Sequence, residues 1–269
     1  MRRVAPDVEV PELIEVEQYR VAAEAVVGCA VEDVEVLDHH YVRDGLDAAS
    51  FADAVRGSTI VAADRLGKVL LLETDRGHTV GLRFGMTGRL LVDGLSPIER
   101  LEYSPIGDLD RWVRIRIRLS GTRELTIIDP RRLGSVVLDP DLSRLGPDAA
   151  SVPLRAFRGL LANSTVAVKP RLLDQSKLAG VGNLIADEAL WHAGIDPARL
   201  AGSLDDAEVR RLHRGLRTTI RRLTRRGGSH TGDLQAYRQR GASCPRCGAM
   251  LIRRTIGGRT TYFCPREQH

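Results

Sequence analysis

The chain has 269 residues, 40 Lys/Arg against 35 Asp/Glu for a net charge of +5, and only 4% aromatic residues. That length allows one large domain or two modest ones, with cores built mainly from aliphatic side chains. No apolar run approaches the ~18 residues of a membrane span, and the opening MRRVAPDVEV lacks the apolar segment of a secretory signal. A cytoplasmic protein with no membrane partner is expected.

Residues 13–27 carry a helical pattern that Gly28 should end. The stretch KVLLLETDRGHTVGLRFGMTGRLLVDG then reads as strands punctuated by glycines. In RWVRIRIRLSG the alternation is strict: Val113, Ile115, Ile117 and Leu119 share one face, Arg114, Arg116 and Arg118 the other. ELTIIDPRRLGSVVLD predicts another pair of strands around a Pro-initiated turn. An antiparallel sandwich or barrel follows for this half. From about residue 150 the period becomes helical, as Val209, Leu212, Leu216, Ile220 and Leu223 show. Ser203 with Asp206 predicts a capping box, and Gly227-Gly228 a stop. The other face of that helix carries Arg210, Arg211, Arg214, Arg217, Arg221 and Arg222.

Charge divides with the period. Residues 1–148 hold 19 Lys/Arg and 26 Asp/Glu, whereas 149–269 hold 21 and 9. A basic second half predicts a polyanionic partner. Three of the four cysteines fall within residues 244–264, which favours a metal over a disulfide framework. Cys29 stands apart and reads as a buried free thiol. Cys244-x2-Cys247 followed by Cys264 matches a structural zinc ribbon, which takes four ligands in a tetrahedron. A cysteine at 267 would complete it, but Glu267 stands there. His269 is the expected fourth ligand, giving a Cys3His site for one Zn²⁺, with Glu267 as the alternative.

The motifs PELIEVE, GKVLLLE, LRFGMTGRL, DPRRLG, LLDQSKLAGVGNLIADEALWHAGIDP and CPRCG…GRTTYFCP stand in one order along residues 11–269. In this the chain resembles the formamidopyrimidine-DNA glycosylase / endonuclease VIII family. The resemblance implies an α+β fold: an N-terminal antiparallel β-sandwich, then a C-terminal helix-two-turn-helix domain with a zinc-finger β-hairpin. The expected boundaries are an extension at 1–10, the catalytic sandwich at 11–148, the helix-two-turn-helix domain at 149–238 and the finger at 239–269. It also implies base-excision repair on damaged double-stranded DNA; a monomer associated with the nucleoid is the default expectation. Such an enzyme flips the lesion from the stack, cuts the glycosidic bond and then cleaves the abasic strand.

By the same resemblance, Pro11 is the nucleophile, Glu12 the acid/base on the sugar and Lys68 the contact to phosphate and lesion; Glu15 matches a structural acid. Met86 and Arg131 match residues that fill the gap left by the extruded base. Leu133 stands where the family has an aromatic, so less stacking is expected against the opposite base. Asn183, in AGVGN, and Arg259, in the finger turn, match phosphate-gripping residues. The AGVGN glycines are expected to open backbone N–H groups to that phosphate, and Lys169 and Lys177 to add nonspecific attraction. The segment between Gly228 and Cys244 is shorter than the lesion-capping loop of the family's 8-oxoguanine enzymes. Oxidised pyrimidines, formamidopyrimidines and abasic sites are the expected substrates.

One position conflicts with that chemistry. An α-amino group, at about 7.7–8.0, is partly neutral near pH 7, whereas a lysine at about 10.4 is not. Inside a chain, however, the Pro11 nitrogen is an amide and cannot attack the sugar. Three readings stand: a start at residue 10, where a valine codon can initiate and removal of the first residue frees Pro11; proteolysis of the extension; or a noncatalytic or lyase-deficient damaged-DNA-binding protein. The bias of 37 Arg over 3 Lys, expected of a GC-rich coding sequence, favours the first.

Overall fold

The computed structural model describes residues 11–98 and 110–269; the ten-residue extension expected from the sequence lies outside them. The chain divides into two compact units. The first holds Pro11 and Glu15–Leu142, the second Glu12–Ile14 and Ser143–His269.

Helix α1 (Leu13–Ala23) runs on into a 3₁₀ turn at Glu24–Val26, and Gly28 ends it at φ +90° as expected. From Glu15 onward it belongs to the first unit, where β1 (Val31–Val36) and helix α2 (Ala48–Val55) follow. Six strands continue the unit: β2 (Ile60–Leu66), β3 (Val69–Thr74), β4 (Thr79–Arg83), β5 (Arg89–Val92), β6 (Val113–Leu119) and β7 (Arg123–Ile128). After them, β8 (Ser135–Leu138) completes two four-stranded antiparallel sheets, ordered β1-β6-β7-β5 and β2-β3-β4-β8. The alternation in β6 holds: its odd-numbered residues are buried, while Arg116 and Arg118 cross to Glu35 and Asp33 on β1 at 3.2 and 3.0 Å. One expectation fails in detail. β7 and β8 do not pair with each other; β7 pairs with β5 and β6, β8 with β4. DPRRLG is therefore a crossover between sheets, not a hairpin turn.

In the second unit, α3 (Leu154–Leu161), α4 (Val168–Leu173), α5 (Asn183–Ala193) and α6 (Asp206–Arg226) precede an antiparallel hairpin of β9 (Ile252–Ile256) and β10 (Arg259–Phe263). Leu13 and Ile14 are buried in this helical core with Ile185, Leu190, Leu212 and Leu216, which is why the residues after Pro11 belong here. The five apolar positions read from the sequence of α6 are all buried. Its cap lies two residues later than predicted. Asp205 accepts from Glu208 N at 2.8 Å and Glu208 returns to Asp205 N at 2.9 Å, whereas the Ser203 hydroxyl is spent on Leu200 O inside a 3₁₀ turn. Gly227 forms the left-handed C-cap.

Candidate active site and nucleic-acid interface

Glu12 is 1% exposed, and the start of α5 surrounds its carboxylate. Oε1 accepts from Leu184 N at 2.8 Å; Oε2 accepts from Gly182 N at 3.0 Å and Ile185 N at 3.1 Å. A helix leaves its first N–H groups without intrahelical acceptors, and its dipole favours an anion there. Gly182 is required by proximity: a Cβ would stand 2.1 Å from Glu12 Cδ. Neither AGVGN glycine keeps its N–H open for the expected phosphate: Gly182 N is held by Glu12, 170 residues upstream, and Gly180 N donates to Gln175 Oε1 at 2.9 Å. What the turn keeps for another partner is Asn183, half-buried, whose side-chain oxygen has none among the described residues. Turning that amide over presents its N–H₂ instead.

Within the first unit, Lys68 is half-buried in the two-residue turn joining β2 to β3. Met86 is half-buried after β4, and Arg131 and Leu133 are exposed on the sheet crossover. One carboxylate ties these two loops together. Asp129, fully buried, accepts from Thr87 Oγ1 at 2.5 Å, Gly134 N at 2.7 Å and Arg131 N at 3.2 Å. Tyr41 Oη adds a bond of 3.4 Å. Thr87 adjoins Met86, and Arg131 and Gly134 flank Leu133, so Asp129 fixes the backbone beneath all three. Sequence reasoning passed over it; its signal was an Asp before Pro, a residue able to accept from backbone N–H groups just downstream.

Lys169 corrects another expectation. Its side chain is wholly buried, 2.6 Å from Asp187 Oδ1, and donates to Thr261 Oγ1 at 2.7 Å. Burial drives its pKa down and Asp187 opposes the shift. An ammonium enclosed in this way cannot meet solvent phosphate; it joins α4 and α5 to β10. Arg238 closes on the other oxygen of Asp187, and Tyr262 N donates there at 3.3 Å. Arg259, by contrast, is exposed just past the Gly257-Gly258 turn, where both glycines have positive φ. That is the backbone a two-residue hairpin turn demands. Lys177 is also exposed, and Cys29 half-buried.

The thiols of Cys244, Cys247 and Cys264 lie within 4.8 Å of one another. Zinc at about 2.3 Å from each sulfur would separate them by about 3.8 Å, so the cluster fits a structural zinc. The Trp191 indole donates to Cys244 Sγ at 3.4 Å, as a thiolate wants. Neither fourth-ligand candidate is gathered with the thiols. Glu267 instead meets Arg246 at 3.1 Å. His269 is exposed, its backbone tied to Gly194 and Asp196.

Three family models match in succession: the formamidopyrimidine-DNA glycosylase N-terminal domain over residues 10–136, its H2TH domain over 145–234, and the zinc finger found in FPG and IleRS over 243–266. The chain belongs to the formamidopyrimidine-DNA glycosylase family. A formamidopyrimidine-DNA glycosylase of Heliobacterium modesticaldum is 36% identical, the match covering 96% of this chain and 99% of that one. One of Roseiflexus is 33% identical over the same shares. Among solved structures, the Lactococcus lactis FPG bound to Fapy-dG DNA superposes with a TM-score of 0.81 at 26% identity, covering 96% of this chain and all of the other. The same enzyme bound to abasic-site DNA gives 0.81 at 25%.

In this member of the formamidopyrimidine-DNA glycosylase family, the short segment after α6 is stitched to α5 by Glu188. Its Oε1 accepts from Leu234 N at 2.6 Å and Gln235 N at 3.2 Å. Burial raises the Glu188 pKa to about 7, against the pull of those two N–H donors. A carboxyl whose folded pKa lies above its unfolded value of 4.5 stabilises most when protonated, so this contribution is lost as pH rises from 4.5 to 7. Glu188→Gln keeps an acceptor without the charge. Thermal melts are expected to show the variant gaining on the native chain between pH 5 and pH 8, by about 3 kcal/mol overall. A pH-independent difference would contradict this.

Proposed function

We propose that this chain is a base-excision-repair DNA glycosylase with abasic-site lyase activity. It removes an oxidised base from duplex DNA through an N-terminal proline Schiff base and is supported by one structural zinc. The reading extends to residues what the relatives' names and the DNA in their complexes describe; one of those complexes holds DNA with an oxidised pyrimidine. The observation that carries it is Glu12: a carboxylate next to Pro11, held by three amide donors, in a family of DNA glycosylases.

In the proposed mechanism the neutral Pro11 amine attacks C1′ of the extruded nucleotide as the C1′–N bond to the base breaks. The base leaves with the bonding pair and takes a proton from solvent; Glu12 takes the N–H proton of the attached Pro11 and passes it to the ring oxygen, so the iminium forms as the sugar ring opens. Loss of a C2′ proton then expels the 3′ phosphate. Lys68 holds phosphate and lesion; Met86, Arg131 and Leu133 occupy the vacated stack; Asn183 and Arg259 grip the backbone. Zinc on the three thiols would fix the finger hairpin that presents Arg259. Oxidised pyrimidines, formamidopyrimidines and abasic sites are the proposed substrates, met by a monomer on nucleoid DNA in the cytoplasm.

The test is borohydride trapping on abasic duplex. Protein beginning at Pro11 is expected to form a covalent adduct; protein retaining residues 1–10 is expected to bind the same duplex without one. If the Pro11-start protein also forms none, the lyase assignment fails and damage binding without catalysis takes its place.

A further inference from the structure

We propose that the solvent face of α6 is a second contact surface for the phosphate backbone of duplex DNA. The proposal rests on the DNA-acting function above. Arg214, Arg217, Arg221 and Arg225 recur every three or four residues, so they lie on one stripe of the helix, opposite the buried Leu212, Leu216 and Leu223. None of the four makes an ion pair or side-chain hydrogen bond among the described residues.

The other arginines of the helix are treated differently. Arg222 and Arg226 pair with Asp233 at 2.8 and 2.7 Å. Arg210 pairs with Asp206 at 3.5 Å, and Arg211 with Glu208 at 3.9 Å. Like charges three and four residues apart destabilise a helix, and no acid among the described residues pairs with this stripe. An anionic partner would.

The chemistry points to a phosphate backbone rather than an acidic protein. Arg217, Arg221 and Arg225, with Arg222, line a cavity of about 530 Å³ whose other walls include Thr218 and Thr224. Arginine and threonine are backbone-contacting side chains of DNA interfaces, and guanidinium matches phosphate in two parallel hydrogen bonds. A protein partner would want an apolar anchor site at the centre of its interface. Here Ile220, the large apolar side chain of the lining, is only 5% exposed. The phosphates are those of the damaged duplex beyond the lesion, and capture of a second duplex is the alternative that the experiment separates.

The experiment compares the full chain with R214Q/R217Q/R221Q/R225Q, since glutamine keeps helix propensity. Circular dichroism establishes equal folding. Binding to an undamaged duplex of about 40 base pairs, roughly four helical turns, is measured against salt. The slope of log affinity against log salt should be shallower by about 3–4 in the variant. If the difference vanishes on a duplex of about 12 base pairs, little more than one turn, the flank of the same duplex is the source. If native protein preloaded with a short abasic duplex captures a second labelled duplex and the variant does not, a second duplex is the source.

Equal slopes on every duplex overturn the proposal. So does loss of polyglutamate binding with DNA binding intact, which would assign the face to an acidic protein. Trapping on the short abasic duplex by Pro11-start versions of both should be alike. Failure of trapping in both would refute the lyase reading and leave the salt slopes to judge the α6 face separately.

Discussion

Glu12→Gln is expected to lower single-turnover base release by about 10²–10⁴-fold, the range for loss of a positioned acid/base group, while binding to abasic duplex persists. The amide retains one acceptor oxygen, but its N–H₂ cannot hand a proton to a sugar oxygen and take it back. The same substitution disturbs structure. Three backbone N–H groups point at the two carboxylate oxygens, and the Gln side chain turns a donor toward at least one of them. Each buried donor left without an acceptor costs about 1–3 kcal/mol. A lower melting temperature should therefore accompany the kinetic loss, and the rate must be read where the variant is fully folded. Glu12→Asp separates the two effects. It keeps the carboxylate but withdraws it by one methylene, so it should restore part of the chemistry and little of the stability. If base release by Glu12→Gln matches the native rate, Glu12 is no acid/base and the mechanism is wrong.

The sequence was most informative where one local rule acts alone. The alternation of β6, the helical spacing of α6 and the grouping of Cys244, Cys247 and Cys264 each follow from a period or a spacing, and each appears in the fold. The errors came where a residue answers to a distant part of the chain. Lys169 looked like one more surface cation because its spacing gives no sign of Asp187 or Thr261, both far along the sequence. The Gly182 amide of AGVGN reads as free for phosphate because nothing local says that Glu12, 170 residues upstream, takes it. The crossover at DPRRLG looked like a hairpin because turn chemistry sets the bend but not the sheet that receives the next strand. For the fourth zinc ligand, spacing offers His269 and Glu267 alike, and the backbone bonds that hold the C-terminus at Gly194 and Asp196 are tertiary and leave no local mark. Asp129 escaped for the same reason. Its partners Thr87 and Tyr41 are 42 and 88 residues away.

Asp187→Ala should cost about 3–5 kcal/mol, the range for breaking a buried ion pair from one side. Asp187 is 2% exposed and faces two cations. Lys169 has a fully buried side chain and that of Arg238 is 3% exposed. Removing the carboxylate leaves both positive charges enclosed. Lysine can escape by losing its proton, and burial already lowers its pKa in the native chain. Without Asp187 that depression deepens. The unfolded chain then binds more protons than the folded one, so stability rises with pH. The deficit, read from denaturant midpoints, should be greatest near neutrality and shrink toward the ordinary lysine pKa of 10.5. Arg238 has no such escape, so part of the loss should persist at every pH. Replacing all three residues by apolar ones of similar volume (K169M/D187L/R238M) should recover most of the stability, because uncompensated charge, not lost volume, is the cause. DNA affinity should not recover with it. Lys169 and Asp187 anchor β10 through Thr261 Oγ1 and Tyr262 N, and β10 begins at Arg259, the finger's proposed phosphate contact. A pH-independent deficit in Asp187→Ala would show that Lys169 is not left as a buried charge, and a triple variant that regains full DNA affinity would show that the cluster does not position the finger.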